Sequence, residues 1–294
     1  MKKLVSFIVI LALVFSVSAS ALAGGLAVPT QSRAVLGGDL NEQQIAQVYQ
    51  AFGVQRGTVV ELKLTNAEER SYLQGYVSDS LIGTRAISSV YVELLPSGSS
   101  MEVRTSNVTW CSPQMYMNAL ITAGVTDARI IVAAPFEVSG TAALAGVYKA
   151  YEDMTGRRLD ATAKAVGTQE LTVTGELAAS IGSLDSVAIV NELKLMLDKT
   201  AKMSDEQLRQ QIIRIAAGYR VTLTEKQIGQ LISLVRSLEA LDVRSLRSRV
   251  ERLQDTLGRA SEAKTQVVGF FQSLREAANS VKNFFDRLSA LLTW

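Results

Sequence analysis

The spacing of apolar residues changes character several times along this chain. Leu4–Val17 is a continuous apolar run interrupted only by Ser6 and Ser16. The following stretch, residues 24–38 with Pro29, is polar enough to predict a mobile segment ending near Gly38. From residue 39 to 155 helix and strand patterns alternate. Asn41-x-x-Gln44 is a capping box ahead of a helix whose Ile45, Val48 and Phe52 share one face and which Gly53 ends. Thr58–Leu64 alternates as a half-buried strand does, and Thr65-x-x-Glu68 caps the next helix. Ala86–Leu95, a turn at Pro96-Ser97-Gly98-Ser99 and Met101–Val108 predict a β-hairpin. Ser112 with Pro113 at the first helical position opens a helix carrying Met115, Leu120 and Ile121, which Gly124 closes. Ala128–Ala133 is apolar apart from Arg129 and predicts a buried strand. Strands covered by helices make residues 39–155 an α/β domain.

Beyond Pro135 the pattern is helical. Ser139 is placed to cap a helix of small residues (Ala142, Ala143, Ala145, Gly146), suited to close packing on a sheet. Residues 156–242 form a helical region with Gly156, Gly167 and Gly182 as expected breaks. Gln169–Thr174 is rich enough in β-formers to leave helix and strand both open. Ser204-x-x-Gln207 and Thr224-x-x-Gln227 are further capping boxes. In residues 243–294, apolar positions from Val243 through Leu246, Val250 and Leu253 to Leu292 follow alternating 3/4 spacing over seven heptads, with Lys264 as the one polar intrusion. Gly258 and Gly269 each cost a helix about 1 kcal/mol against alanine, so a hairpin broken near Gly258–Ser261 competes with one long amphipathic helix. The expected class is α+β: a small sheet including the hairpin, then a mainly helical C-terminal domain.

The apolar N-terminal run takes its meaning from its flanks. Lys2 and Lys3 precede it, and Ala21-Leu22-Ala23 supplies a small-x-small cleavage site with Gly24 as the mature start. The run is shorter than the roughly 20 residues of a spanning helix. Residues 1–23 are therefore expected to be a cleaved signal peptide, with the mature chain secreted and possible retention at the cell envelope. Cys111 is the one cysteine, so no internal disulfide is possible and a buried, inert thiol is expected. The formal net charge of +2 conceals a polarity. Residues 24–200 carry 13 basic and 18 acidic side chains, residues 201–294 carry 15 and 10. This asymmetry points to an anionic partner for the C-terminal part, or to packing of the two parts on each other.

Several segments in the middle of the chain carry a family resemblance. They are Ile82-Gly83-Thr84-Arg85-Ala86-Ile87-Ser88-Ser89, Asn107-Val108-Thr109-Trp110, Met115–Leu120 with Thr122-Ala123-Gly124, Val132–Leu144, Lys149–Glu152 and Thr174–Ala178. Together they resemble the YpuA-like secreted proteins of Gram-positive bacteria, the proteins of domain of unknown function 1002, over roughly residues 39–200. The resemblance implies a bacterial exported protein and brings no activity, substrate or catalytic residue with it.

Candidate chemistry is narrowed by what is missing. With no histidine and one cysteine there is no Ser-His-Asp triad, Cys-His pair, histidine or thiolate zinc site or iron–sulfur ligand set. No phosphate-cradling glycine motif is present, and neither a cofactor nor a metal is expected. Glu93 and Glu102, on the two strands of the expected hairpin and near Arg85 and Arg104, form a candidate carboxylate pair for glycan hydrolysis; cross-strand ion pairing is the plainer explanation. Glu176 is a further candidate without an identifiable partner. Ser139-Gly140-Thr141, between a strand and a helix, could present backbone N–H groups to an anion or simply cap the helix. Phe270, Phe271, Phe284, Phe285 and Trp294, with Arg244, Arg247 and Arg252 upstream, outline an interaction face. It could pack on the protein itself, on a protein partner or second copy, or on an anionic membrane or wall polymer. Nucleic acid is not expected, since basic and aromatic residues do not interleave on a β platform. The function expected is that of a non-enzymatic envelope-associated binding protein, with a carboxylate-dependent cell-wall hydrolase as the alternative.

Overall fold

Five strands, β1 (Ser32–Gly37), β2 (Val60–Leu64), β3 (Ser89–Leu94), β4 (Glu102–Val108) and β5 (Ala128–Val138), form one mixed sheet in the order β2-β1-β3-β5-β4. The computed structural model describes residues 31–255, so the expected leader and the interaction-face residues Phe270, Phe271, Phe284, Phe285 and Trp294 lie outside the described residues. The described helices are α1 (Glu42–Phe52), α2 (Asn66–Leu73), α3 (Asp79–Ile82), α4 (Pro113–Ala123), α5 (Thr141–Thr155), α6 (Ala161–Ile181), α7 (Ser183–Leu195), α8 (Leu197–Thr200), α9 (Asp205–Gly218), α10 (Glu225–Glu239) and α11, over 243–255. This is an α+β protein. The four expected capping boxes close on α1, α2, α9 and α10, and Ser112 caps α4.

Three expectations need correction. The segment expected to be mobile enters the fold before Gly38, because Ser32–Gly37 is β1, parallel to β2 and antiparallel to β3. Its short apolar core, Ala34-Val35-Leu36, is fully buried, and the flanking polar residues and glycines obscured it. The hairpin does not form either. β5 lies between β3 and β4, antiparallel to the first and parallel to the second. Asp127, just ahead of β5, occupies the β3–β4 connection: its carbonyl accepts from Leu95 N at 2.7 Å, and its carboxylate from Gly98 N and Ser100 N, each at 3.0 Å. The most apolar strand thereby takes an interior position and the half-polar β4 goes to the edge. Finally, Gly167 does not break the chain; it lies within α6, as does Gln169–Thr174, which the sequence left open between helix and strand and which is helical. Gly167 sits where α6 crosses α4, and an added Cβ would stand 2.6 Å from the Ala119 carbonyl. The buried Thr168 and Thr172 hydroxyls donate back to the Lys164 and Thr168 carbonyls, which keeps β-branched residues compatible with a buried helix.

Alternation along the strands separates two apolar layers. Ala34, Leu36, Tyr91 and Ala133 face α1, with its Ile45, Val48, Tyr49 and Phe52. Val35, Val90, Val92, Ile130 and Val132 face the other way, into a core continuous through α4–α7 to Leu246, Val250 and Leu253 of α11. Residues 39–155 and 156–242 thus share one core. The described part of the heptad stripe packs on the protein itself. As expected, the small face of α5 lets it approach the sheet: a Cβ on Gly146 would stand 3.2 Å from Val90.

Candidate functional site

The site begins at an irregularity of the sheet. Pro135 has no N–H to give to a ladder, and β4 and β5 lose register between the pairs Ser106↔Ala133 and Val108↔Val138. Asn107 takes a left-handed conformation there (φ 58°), and its Nδ2 donates to the Ala134 carbonyl at 2.8 Å. Past the bulge the chain enters α5 through Ser139 and Gly140. Gly140 has φ +96°, and a Cβ on it would lie 2.5 Å from both Tyr116 Oη and Val108 Cγ1. The Tyr116 hydroxyl donates to the Gly140 carbonyl at 2.6 Å. Only glycine fits this corner.

That glycine occupies the N-cap position, so α5 starts with no side-chain cap. The expected cap by Ser139 is corrected: Ser139 falls one residue too early, and its hydroxyl donates to the Leu81 carbonyl at 2.8 Å instead. The first amides of α5, at the positive end of the helix dipole, are left for another partner. They open on a cavity of about 240 Å³ whose lining includes Glu69, Arg85, Ser88, Ser139, Gly140 and Thr141. The loop carrying Arg85 and Ser88 is pinned from both sides. Asp39 accepts from Ala86 N at 2.8 Å, and Arg70 donates to the Gly83 carbonyl at 2.8 Å. Arg85 is exposed and pairs with no described carboxylate. Ser88 is 5 % exposed, yet its hydroxyl has no hydrogen-bond partner among the described residues.

Glu69 closes the inner wall. It is 1 % exposed, and Oε1 accepts from Thr141 Oγ1 at 3.0 Å while Oε2 accepts from Asn66 Nδ2 at 3.3 Å. Burial pushes its pKa up from 4.5 to about 7, against the lowering effect of these hydrogen bonds. Thr141 Oγ1 also lies 3.3 Å from the Leu81 carbonyl. A hydroxyl has one proton for these two acceptors. When Glu69 is protonated it can donate to Thr141, which then donates to Leu81, and the network is satisfied.

The structure therefore brings Arg85 and Ser139-Gly140-Thr141 together and leaves the candidate carboxylates apart from them. Glu93 and Glu102 flank Arg129 of β5, which donates to them at 2.8 and 3.1 Å. They are held as an ion-pair triad across three strands, with Arg129 and not Arg85 or Arg104 as the partner. Glu176 accepts from Gln230 at 2.6 Å and pairs with Lys226 at 3.5 Å, between α6 and α10. Arg247 pairs with Glu251 and Asp198 at 3.0 and 3.2 Å. Arg244 is exposed, and Arg252 lies near Asp127 and Asp255. Among the described residues, no three His, Cys, Asp or Glu side chains are placed to hold a metal ion, and no helix is long and apolar enough to cross a membrane. The sequence reading missed Glu69 and Ser88. Glu69 stands directly behind the capping residue Glu68 and looks like a second solvent-facing acid, while Ser88 is hidden in a mixed polar-apolar approach to β3.

Fold and site define an α+β protein with a five-stranded mixed sheet and a polar pocket at the uncapped start of a helix. The chain belongs to the family described as Protein of unknown function (DUF1002), whose model matches residues 36–256. It is similar to the "Uncharacterized protein YpuA" of Bacillus subtilis (strain 168), at 35% identity over 255 residues, 84% of this chain and 88% of that protein. No solved structure matches it. The family match runs beyond residue 200, where the sequence resemblance thins, and takes in α9, α10 and α11.

Proposed function

We propose that this is an exported, envelope-associated, non-enzymatic binding protein that captures an oxyanion group, phosphate or carboxylate, in the pocket at the start of α5. The observation that carries this reading is the start of α5, which has no side-chain cap and opens on a cavity lined by Arg85, Ser88 and Ser139-Gly140-Thr141. An anion there would accept from α5 amides and from Ser88, with the Arg85 guanidinium at the rim. Export rests on the leader pattern of Met1–Ala23 with cleavage before Gly24. Retention near the cell rests on the basic, phenylalanine-bearing residues 243–294. The separation of Glu93, Glu102 and Glu176 from the pocket removes the support for a hydrolase built on them.

Calorimetric titration of the mature chain (residues 24–294) with inorganic phosphate at pH 6 tests the binding claim. Saturable one-site binding is expected, at least tenfold weaker in Arg85→Gln, whose melting temperature should match the wild type because Arg85 makes no ion pair. No saturable binding, or equal affinity in the variant, contradicts the proposal.

A further inference from the structure

A second cavity, at the opposite end of α5, is larger and more basic. It measures about 760 Å³, against roughly 30 Å³ for a water molecule in the liquid. Its lining draws on the end of α4, the α5–α6 turn and the approach to α11, and includes Arg157, Arg158 and Arg249. Seven other described arginines (Arg33, Arg56, Arg70, Arg129, Arg209, Arg236 and Arg247) each pair with a carboxylate. These three pair with none among the described residues, as is true also of Arg85, Arg104, Arg214, Arg220 and Arg244, but these three are gathered on one cavity wall. Arg249 is the sharpest case, because its Nε is buried and has no hydrogen-bond partner. Burial lowers the pKa of this guanidinium from its ordinary value, with nearby Arg252 adding to the effect and Asp242 opposing it.

The two carboxylates on the cavity wall are already committed to capping. Asp160 accepts from Ala163 N at 2.8 Å, and Asp242 accepts from Ser245 N at 3.1 Å and Ser245 Oγ at 2.7 Å. A buried N–H of a cation without an acceptor is unfavourable. A ligand that brings its own anionic oxygens gives the Arg249 side chain, which lines the cavity, an acceptor to turn toward, and Arg157 and Arg158 on the same cavity ask for more than one such group. We propose that this cavity binds a ligand carrying two or more phosphate groups, with Arg249 as the inner contact and Arg157 and Arg158 as the outer ones. It rests on different residues from the pocket at the start of α5, and neither claim depends on the other.

The test uses the full mature chain with two probes, soluble inorganic polyphosphate and vesicles of cardiolipin, a lipid with two phosphates, in phosphatidylcholine. Polyphosphate binding that weakens at least tenfold in Arg249→Gln and in the double variant R157Q/R158Q, and falls as salt rises, supports the site with a soluble polymer as the source. Vesicle binding lost in the same variants supports the same chemistry with a lipid headgroup as the source. The exposed double variant guards against misfolding of the Arg249 variant. Arg214→Gln, an exposed position on α9 that lines neither cavity, should leave both bindings unchanged. Absence of binding to either probe, or binding that survives both sets of substitutions, overturns the proposal.

Discussion

Lys194 of α7 places its Nζ 2.9 Å from Glu170 Oε1 of α6, and neither side chain exposes any surface. Lys194 also donates to the Asn118 carbonyl at 3.3 Å, and the other oxygen of Glu170 accepts from the Thr122 hydroxyl at 2.5 Å. Three helices, α4, α6 and α7, are thus joined by one polar cluster inside an apolar core. Desolvation pulls the lysine pKa below its ordinary value, while the carboxylate beside it acts in the opposite direction.

Removing one member should cost far more than removing both. Lys194→Met leaves a buried carboxylate without its cation and is expected to destabilise the fold by about 3–5 kcal/mol. The double variant K194M/E170M should recover most of that loss. Urea unfolding of the four proteins in the double-mutant cycle measures the coupling. Equal and additive losses would show that the pair is not coupled.

This cluster also marks how far the sequence could be read. Helix starts were legible because a capping box is a local device: Asn41, Thr65, Ser204 and Thr224 each cap within three residues. The order of the strands was not legible, because Asp127 holds the β3–β4 connection from a distance in sequence. Half of the pocket was visible as Ser139-Gly140-Thr141. The other half comes from Glu69 and Ser88, whose burial depends on α2 and the 83–88 loop meeting the start of α5. A charged residue on a helix reads as solvent-facing, so Glu69, Glu170 and Lys194 all escaped notice.

Glu69 should make stability depend on pH. Its folded pKa of about 7 lies above the ordinary 4.5, so the folded state holds the proton more tightly than the unfolded chain. That contribution is complete below pH 4.5 and is lost as pH rises to about 7, amounting to on the order of 3 kcal/mol. Arg70 works against the shift and Asp39 adds to it. Chemical denaturation should show Glu69→Gln gaining stability relative to wild type at pH 8 and little at pH 4. A constant difference at both pH values would mean that Glu69 titrates normally.

Two glycines with left-handed backbones should respond differently to alanine. At Gly53 (φ +70°) nothing lies within 4 Å of the added carbon, so only backbone strain of about 1 kcal/mol is expected. At Gly140 the same carbon meets Tyr116 and Val108 at 2.5 Å, and a loss of about 3 kcal/mol or more is expected from strain and overpacking together. Comparison of the two variants by thermal melting checks the geometry of the pocket corner. Equal losses would contradict it.

Cys111 should behave as a core residue. It is 1 % exposed, and burial pushes its thiol up to about 12, so almost no thiolate is present at neutral pH. A chromogenic disulfide reagent at pH 8 should leave the native chain unlabelled and react with one thiol per chain after unfolding. Rapid labelling of the native protein would show that the Cys111 region opens readily.

The oxyanion pocket is tested most directly by following the backbone amides of Thr141 and Ala142 by ¹⁵N–¹H NMR while inorganic phosphate is added at pH 6. Both signals are expected to shift and saturate together, with the shifts lost in S88A/R85Q while the rest of the spectrum stays in place. Amides at the start of α5 that do not respond, or that respond equally in the variant, would contradict binding at this site.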